Sequence, residues 1–212
     1  MRILLVSATG MEIAATMQTH GASENVRFLI TGVGMVAAGV SVAEALAVHK
    51  PDAVVHAGVA GSFDRNLSLG DVVVIVEDGF PELGAQDGDA FLPLVEMGLD
   101  EDGLTPSGML VPATIPLLDH VQVFPAVRGI TVNTVHGNDD AIREASERWP
   151  AQVETMEAGA VMYACNRAGV PYLGLRTISN YVERRNRDAW QMPLAVQRLN
   201  ETLTQLIRNA GR

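Results

Sequence analysis

Short continuous apolar runs alternate along this chain with longer segments whose apolar residues recur every three or four positions. RILLV (2–6), RFLIT (27–31), AVVHAGVAGSF (53–63), VVVIVED (72–78) and GITVNTVHG (129–137) read as strands. A run that is apolar throughout suits a parallel strand covered on both faces. Met35 to about Lys50, NDDAIREASERW (138–149) and Asp188 to about Asn209 read as helices. Asn138 stands where an amino-terminal cap accepts backbone N–H groups. In the last helix Leu194, Val196, Leu199, Leu203 and Leu206 keep helical spacing and mark a face turned to the core. An earlier helix is expected to open at Met11-Glu12-Ile13, after the loop Ser7-Ala8-Thr9-Gly10. That would place Glu12 in a first helical turn, where a carboxylate complements the helix dipole. It would also place Glu12 just past the end of a strand.

The stretch ETMEAGAVMYACNRAGVPYLGLRTISN (154–180) condenses the pattern into a strand end, a helix, a Gly-Val-Pro turn and a second strand. Met156 and Glu157 fall at the first strand-to-helix junction, and Ser179 and Asn180 close the second strand. Ligands of open α/β sheets bind beyond the carboxyl ends of strands, so both polar tips belong to one candidate pocket. A carboxylate buried beside an apolar Met is costly unless a polar group meets it, and a small hydroxylated ligand would do so.

The glycine turn Gly32-Val33-Gly34 follows a strand and precedes a helix, but no acidic residue closes a second strand at the distance a dinucleotide ribose needs. NAD is therefore not expected, and the glycines read as a tight turn that brings backbone amides toward a ligand. Gly58, Gly61 and Ser62 end another apolar strand with residues small enough for a ligand to approach the backbone. His136 reads equally as a ligand contact or as a polar residue at a strand end.

With 212 residues, 48% hydrophobic and 19% charged, the chain suffices for one α/β domain spanning 1–212. A net charge of −10 argues against nucleic acid or an anionic membrane as partner. The lone Cys165 lies in an apolar helix and reads as a packed thiol, so neither disulfides nor a cysteine-rich metal site are expected. MRILLVSATG reads as a strand rather than a signal peptide, and no apolar run reaches membrane-spanning length; a soluble cytoplasmic protein is expected. The Gly-, Pro- and acid-rich segment 78–112 reads as a surface excursion, a lid or a subunit contact, with Phe91 to Met97 the candidate interface.

Five ordered motifs then fall together: Met11-Glu12; Thr31-Gly32-Val33-Gly34 with Val36-Ala37-Ala38; Ala57-Gly58-Val59-Ala60-Gly61 with Leu69-Gly70-Asp71-Val72-Val73; Met156-Glu157-Ala158; and Arg176-Thr177-Ile178-Ser179-Asn180. In this the chain resembles the nucleoside phosphorylase and nucleosidase family. The resemblance implies a three-layer α-β-α fold around a mixed, mostly parallel twisted sheet. It implies no metal and no cofactor, a purine nucleoside as small-molecule partner, and a homodimer or higher homo-oligomer. Met156 would lie against the ribose, Glu157 would accept its hydroxyls, and Glu12 would position the attacking water. Gly58, Val59, Ala60, His136 and Thr155 would line the substrate.

Within the family the chain looks most like the branch that hydrolyses futalosine in menaquinone biosynthesis, on the stretches 82–89, 133–138 and 179–190. Relatives that cleave adenine nucleosides carry Asp where this chain has Asn180. Asn cannot protonate an adenine, but its amide can donate to N7 or O6 of a 6-oxopurine, which implies hypoxanthine as leaving group. Arg184, Arg185 and Arg187 follow closely, and one could pair with the benzoate of futalosine; the alternative is a solvated basic loop. The first loop, Ser7-Ala8-Thr9-Gly10, has no basic residue to hold phosphate, so water is the expected nucleophile. The competing expectations are a methylthioadenosine/adenosylhomocysteine-type nucleosidase and a non-catalytic nucleoside-binding protein.

Overall fold

The structure is a computed structural model that describes residues 1–99, 108–114 and 123–210. Among these the strands are β1 (Ile3–Ser7), β2 (Val26–Ile30), β3 (Ala53–Ser62), β4 (Val72–Gly79), β5 (Gly84–Asp87), β6 (Ala90–Pro93), β7 (Met109–Leu110), β8 (Ala126–Thr131), β9 (Val153–Thr155) and β10 (Tyr172–Tyr181). All but the β5–β6 hairpin belong to one twisted sheet of order β10-β4-β8-β9-β3-β1-β2, with β7 on β4. β10 is bonded on both sides, parallel to β3 and antiparallel to β4. The sheet curls far enough that β9 meets the end of β3, pairing Gly61 with Glu154 and Ser62 with Val153.

Successive residues of the apolar strands feed opposite cores, which is why the runs are continuous rather than alternating. Leu4, Val6 and Val54 pack with Ala38, Val42, Val161, Met162 and Cys165 on the side of α2 (Met35–His49) and α4 (Ala158–Ala168). Leu5, Val55, Leu173 and Leu175 pack with Ile13, Leu199, Leu203 and Leu206 on the side of α5 (Met192–Ala210), against which α1 (Ala14–His20) also lies. The result is the expected helix–sheet–helix sandwich. Cys165 is fully buried, and burial pushes its thiol up to about 12. Among the described residues no helix is long and apolar enough to cross a membrane.

Four boundaries differ from the sequence reading. α1 begins at Ala14, with Ile13 its flanking residue, so Glu12 lies outside the helix and its position is not a dipole effect. The strand expected at 129–137 runs instead over β8, because Ala126 pairs with Val74 and the chain turns away after Thr131. There the backbone N–H and side-chain amide of Asn133 both donate to Glu82 Oε2, at 3.2 and 3.1 Å. The last helix starts at Met192, after a single tight turn at Arg187–Ala189; Pro193 suits a first helical turn, where no N–H is needed. The excursion after Asp78 contains the β5–β6 hairpin, to which Phe91 contributes, and a turn through Met97; its residues 100–107 lie outside the described ones. Asn138 does cap α3 (Asp139–Arg148), its Oδ1 accepting the N–H groups of Asp140 and Ala141 at 2.9 and 3.2 Å.

One irregularity sets up the site. In the β3–β10 pairing Ile178 faces Ala60 and Asn180 faces Gly61, so Ser179 is an extra residue. Such a bulge re-aims the side chains that follow it.

Candidate active site

The ends of β1, β3, β9 and β10, the start of α4 and the loop before α2 enclose a cleft of about 400 Å³. Of the residues singled out from sequence, Glu12, Val59, Ala60, His136, Thr155, Met156, Glu157, Asn180 and Arg185 line it. Gly58 stands behind the wall, and Arg184 and Arg187 are exposed residues outside the lining.

Glu12 is held by four donors. Its Oε2 accepts from Ser7 Oγ at 3.2 Å, Thr9 N at 3.0 Å and Thr9 Oγ1 at 2.8 Å, and its Oε1 accepts from Val59 N at 3.2 Å. These bonds draw the residue back over the exit of β1 and account for its absence from the helix. Gly58 makes the approach possible, since a Cβ there would stand 3.0 Å from Glu12 Oε1 and 3.7 Å from the guanidinium of Arg176. Arg176 is fully buried beneath, donating to the carbonyls of His56 and Leu175 at 2.7 and 2.8 Å.

Glu157 is bound differently. Gly34 N donates to its Oε1 at 2.7 Å, and the Met156 backbone is a weaker second partner. Gly32 and Gly34 have φ of 83° and 99°, a region side-chain-bearing residues avoid, and this turn aims the amide across the cleft. Burial pushes the Glu157 carboxyl above its usual range, the Gly34 amide and the charge of Arg176 oppose that, and the nearby Glu12 adds to it. The start of α4 is pinned from below. Thr155 Oγ1 accepts Ala158 N at 3.1 Å, and Thr131 Oγ1 accepts Gly159 N at 2.7 Å while donating to the buried Asp78 at 2.7 Å.

At the other end, Asn180 Oδ1 accepts the Ser179 hydroxyl at 2.8 Å, and its Nδ2 donates to Tyr181 O at 3.1 Å, leaving one amide N–H uncommitted. His136 binds Glu154 twice: its backbone N–H reaches Oε1 at 3.1 Å, and Nδ1 stands 2.6 Å from Oε2. Burial raises the pKa of Glu154, opposed by its bonds with His136. Arg185 lies over the Trp190 ring, 5.3 Å from its centre, and both line the cleft.

Sequence reasoning passed over four contributors. Ser7 and Thr9 were read only as a loop without a base, although hydroxyls beside a strand end are donors in waiting. Glu154 was treated as the end of a strand, and Arg176 as part of a motif. A charged residue inside an otherwise apolar strand was the available signal for both.

The phosphorylase superfamily model matches residues 15–208. A futalosine hydrolase of Acidothermus cellulolyticus is 36% identical over 180 residues, covering 84% of this chain and 73% of that protein. One from Streptomyces coelicolor is 33% identical over 208 residues, covering 94% and 86%. The solved 5′-methylthioadenosine/S-adenosylhomocysteine nucleosidase of Helicobacter pylori superposes with a TM-score of 0.81 over 98% of each chain at 15% identity, a likeness of fold. Fold, motifs and relatives agree: this chain belongs to the phosphorylase superfamily.

Proposed function

We propose that the protein hydrolyses the N-glycosidic bond of futalosine to hypoxanthine and dehypoxanthine futalosine, a step of menaquinone biosynthesis. The observation that carries the reading is the unequal binding of two carboxylates on one cleft, with an amide at its far end. Cleavage passes through a sugar with oxocarbenium character while charge builds on the base. Glu157, held mainly through Gly34 N on Oε1, keeps acceptor capacity for the ribose hydroxyls, and those bonds strengthen as the sugar turns cationic. Glu12 has three donors on Oε2 and one on Oε1, which leaves Oε1 the freer atom to orient water and take its proton. The C1′–N9 bond breaks with its electron pair passing to the base. The free N–H of Asn180 meets O6 or N7 of a 6-oxopurine. Arg185, over the Trp190 ring, is the arginine at hand for a distal carboxylate.

The exposed face of α2 supports a homodimer. Val36, Val40, Ala43 and Ala47 recur at helical spacing along an apolar groove shared with Tyr163 and Ala164 of α4. Exposed Val33, at the entry to α2, lines the cleft, so a second copy seated in this groove would reach the rim of the site.

Incubation with futalosine, aminodeoxyfutalosine, inosine and methylthioadenosine, without and with phosphate, tests the reading. Hypoxanthine released from futalosine without phosphate is the expected result. Adenine release instead would favour the methylthioadenosine-type activity, strict phosphate dependence would replace water as nucleophile, and no release at all would leave a binding protein.

A further inference from the structure

A purine leaves a sugar readily only if it is protonated as it goes, and the groups assigned above do not supply that proton. Asn180 can donate a hydrogen bond but cannot surrender a proton, and an arginine guanidinium stays protonated in proteins. Glu12 is arranged to receive a proton, and Glu157 faces the ribose. Among the described residues of the cleft, Tyr181 gives its hydroxyl to Leu67 O at 3.0 Å and Glu183 is paired with Arg65 at 2.7 Å, which leaves the dyad of His136 with Glu154.

Its placement is specific. Gly61 pairs with Glu154 across β3 and β9, and a Cβ on Gly61 would lie 3.2 Å from Asn180 Nδ2 and 3.4 Å from Glu154 Cγ. The amide that selects the base and the stem of Glu154 therefore flank the same bare patch of strand. Both oxygens of Glu154 are engaged by His136, and Nδ1 points at the carboxylate at 2.6 Å. Nε2 is the ring nitrogen left over, with no hydrogen-bond partner among the described residues. A carboxylate on one imidazole nitrogen fixes the ring's orientation and turns the other nitrogen outward, the arrangement that readies it for proton transfer. Phe63 is tilted against the ring at 60°, centres 6.1 Å apart. The charged groups around it are Glu154 beneath, Arg185 whose backbone N–H binds Gly137 O at 3.2 Å, and Glu183, Glu157 and Glu12 on the cleft wall.

We propose that His136, held by Glu154, is the general acid that protonates the departing purine. The proposal rests on the hydrolase reading above. The C1′–N9 bond breaks and its electrons enter the purine; the Nε2–H bond breaks and an N–H bond forms at N7, on the Asn180 side of the ring. The imidazole is left neutral. Water forms the new C1′–O bond, its proton passes to Glu12, and exchange with solvent returns one proton from Glu12 to His136. Glu154 acts through His136 and is a positioning residue.

The test compares wild type, His136→Gln and Glu154→Gln on inosine or futalosine and on 4-nitrophenyl riboside, whose leaving group needs no proton. His136→Gln should lower kcat/KM on the purine nucleoside by about 10²–10⁴-fold and abolish the alkaline limb of its pH profile, with the loss confined to the purine substrate. Glu154→Gln should bring a smaller loss, likewise confined to the purine substrate. Equal losses on both substrates, or an alkaline limb surviving in His136→Gln, would overturn the proposal while leaving the hydrolase reading intact. A wild type that releases no base would overturn both.

Discussion

The groove between α2 and α4 has a volume of about 1080 Å³, and the cleft at the strand ends about 400 Å³. Size ranks them one way and chemistry the other. The groove is lined by Val36, Val40, Ala43, Leu83, Leu94 and other apolar side chains, with Lys50, Tyr163 and Arg167 the ionisable groups among its described residues. The cleft brings together Glu154 and Asn180 from two strands, β9 and β10, and Glu12, His136 and Glu157 from the segments that follow β1, β8 and β9. A surface that only excludes water can be long and uniform. A surface that moves protons and steadies charge needs few groups, each fixed by others, and backbone N–H groups do much of the fixing here.

The largest effect expected from breaking the cleft is at Glu12. Glu12→Gln keeps the shape but cannot take the water proton, and kcat should fall about 10²–10⁴-fold with circular dichroism unchanged. Retention of near-full activity would remove Glu12 from the chemistry.

Asp78 lies beneath both regions, under the start of α4, and tests whether they share a foundation. Burial pushes its carboxyl up to about 7 from an ordinary 3.8, with the Thr131 hydrogen bond and the charge of Arg176 opposing. The folded protein therefore holds a proton that the unfolded chain has lost, so stability is full below about pH 4 and falls as pH rises through about 7. The loss is of order 4 kcal/mol. Asp78→Asn keeps an acceptor for Thr131 and should flatten this decline, raising the urea midpoint at pH 8 and changing it little at pH 4. A wild-type midpoint that rises between pH 4 and 7 would contradict the sign.

Smaller effects separate the two regions. Ala43→Arg places charge in the groove and should shift the protein to a monomer by sedimentation, whereas a wild type that is monomeric at high concentration would end the dimer assignment. Arg185→Ala should raise KM for futalosine roughly tenfold, the loss of one charge-assisted pair, and spare inosine; Arg184→Ala, outside the cleft, should leave KM for both unchanged.

The strands that feed two cores were legible because burial on both faces leaves an unbroken apolar run, and α3 was legible because Asn138 is a strong local cap. The β5–β6 hairpin was hidden by Gly and Pro, and the true end of β8 by Asn133, whose tie to Glu82 crosses 51 residues. Glu12 and Glu157 stood out by position. Their unequal holding did not, because Ser7, Thr9, Val59 and Gly34 reach them through space, and two of those four donate only from the backbone, which a sequence does not display. Glu154 looked like a strand residue because nothing in its neighbours announces the imidazole arriving from position 136.

The extra residue at Ser179 has a consequence for how this scaffold can diversify. β10 is locked by neighbours on both edges, so most changes along it would propagate through the whole sheet. Past the bulge the strand's last residues stay paired with β3 alone in a shifted register, beyond the reach of β4, and the position after it can exchange one amide or acid for another without resetting the register behind it. On the role proposed for Asn180, base preference is thus a terminal fitting on a rigid frame, open to change by a single codon, whereas one residue gained or lost at the bulge would turn the fitting away from the cleft altogether.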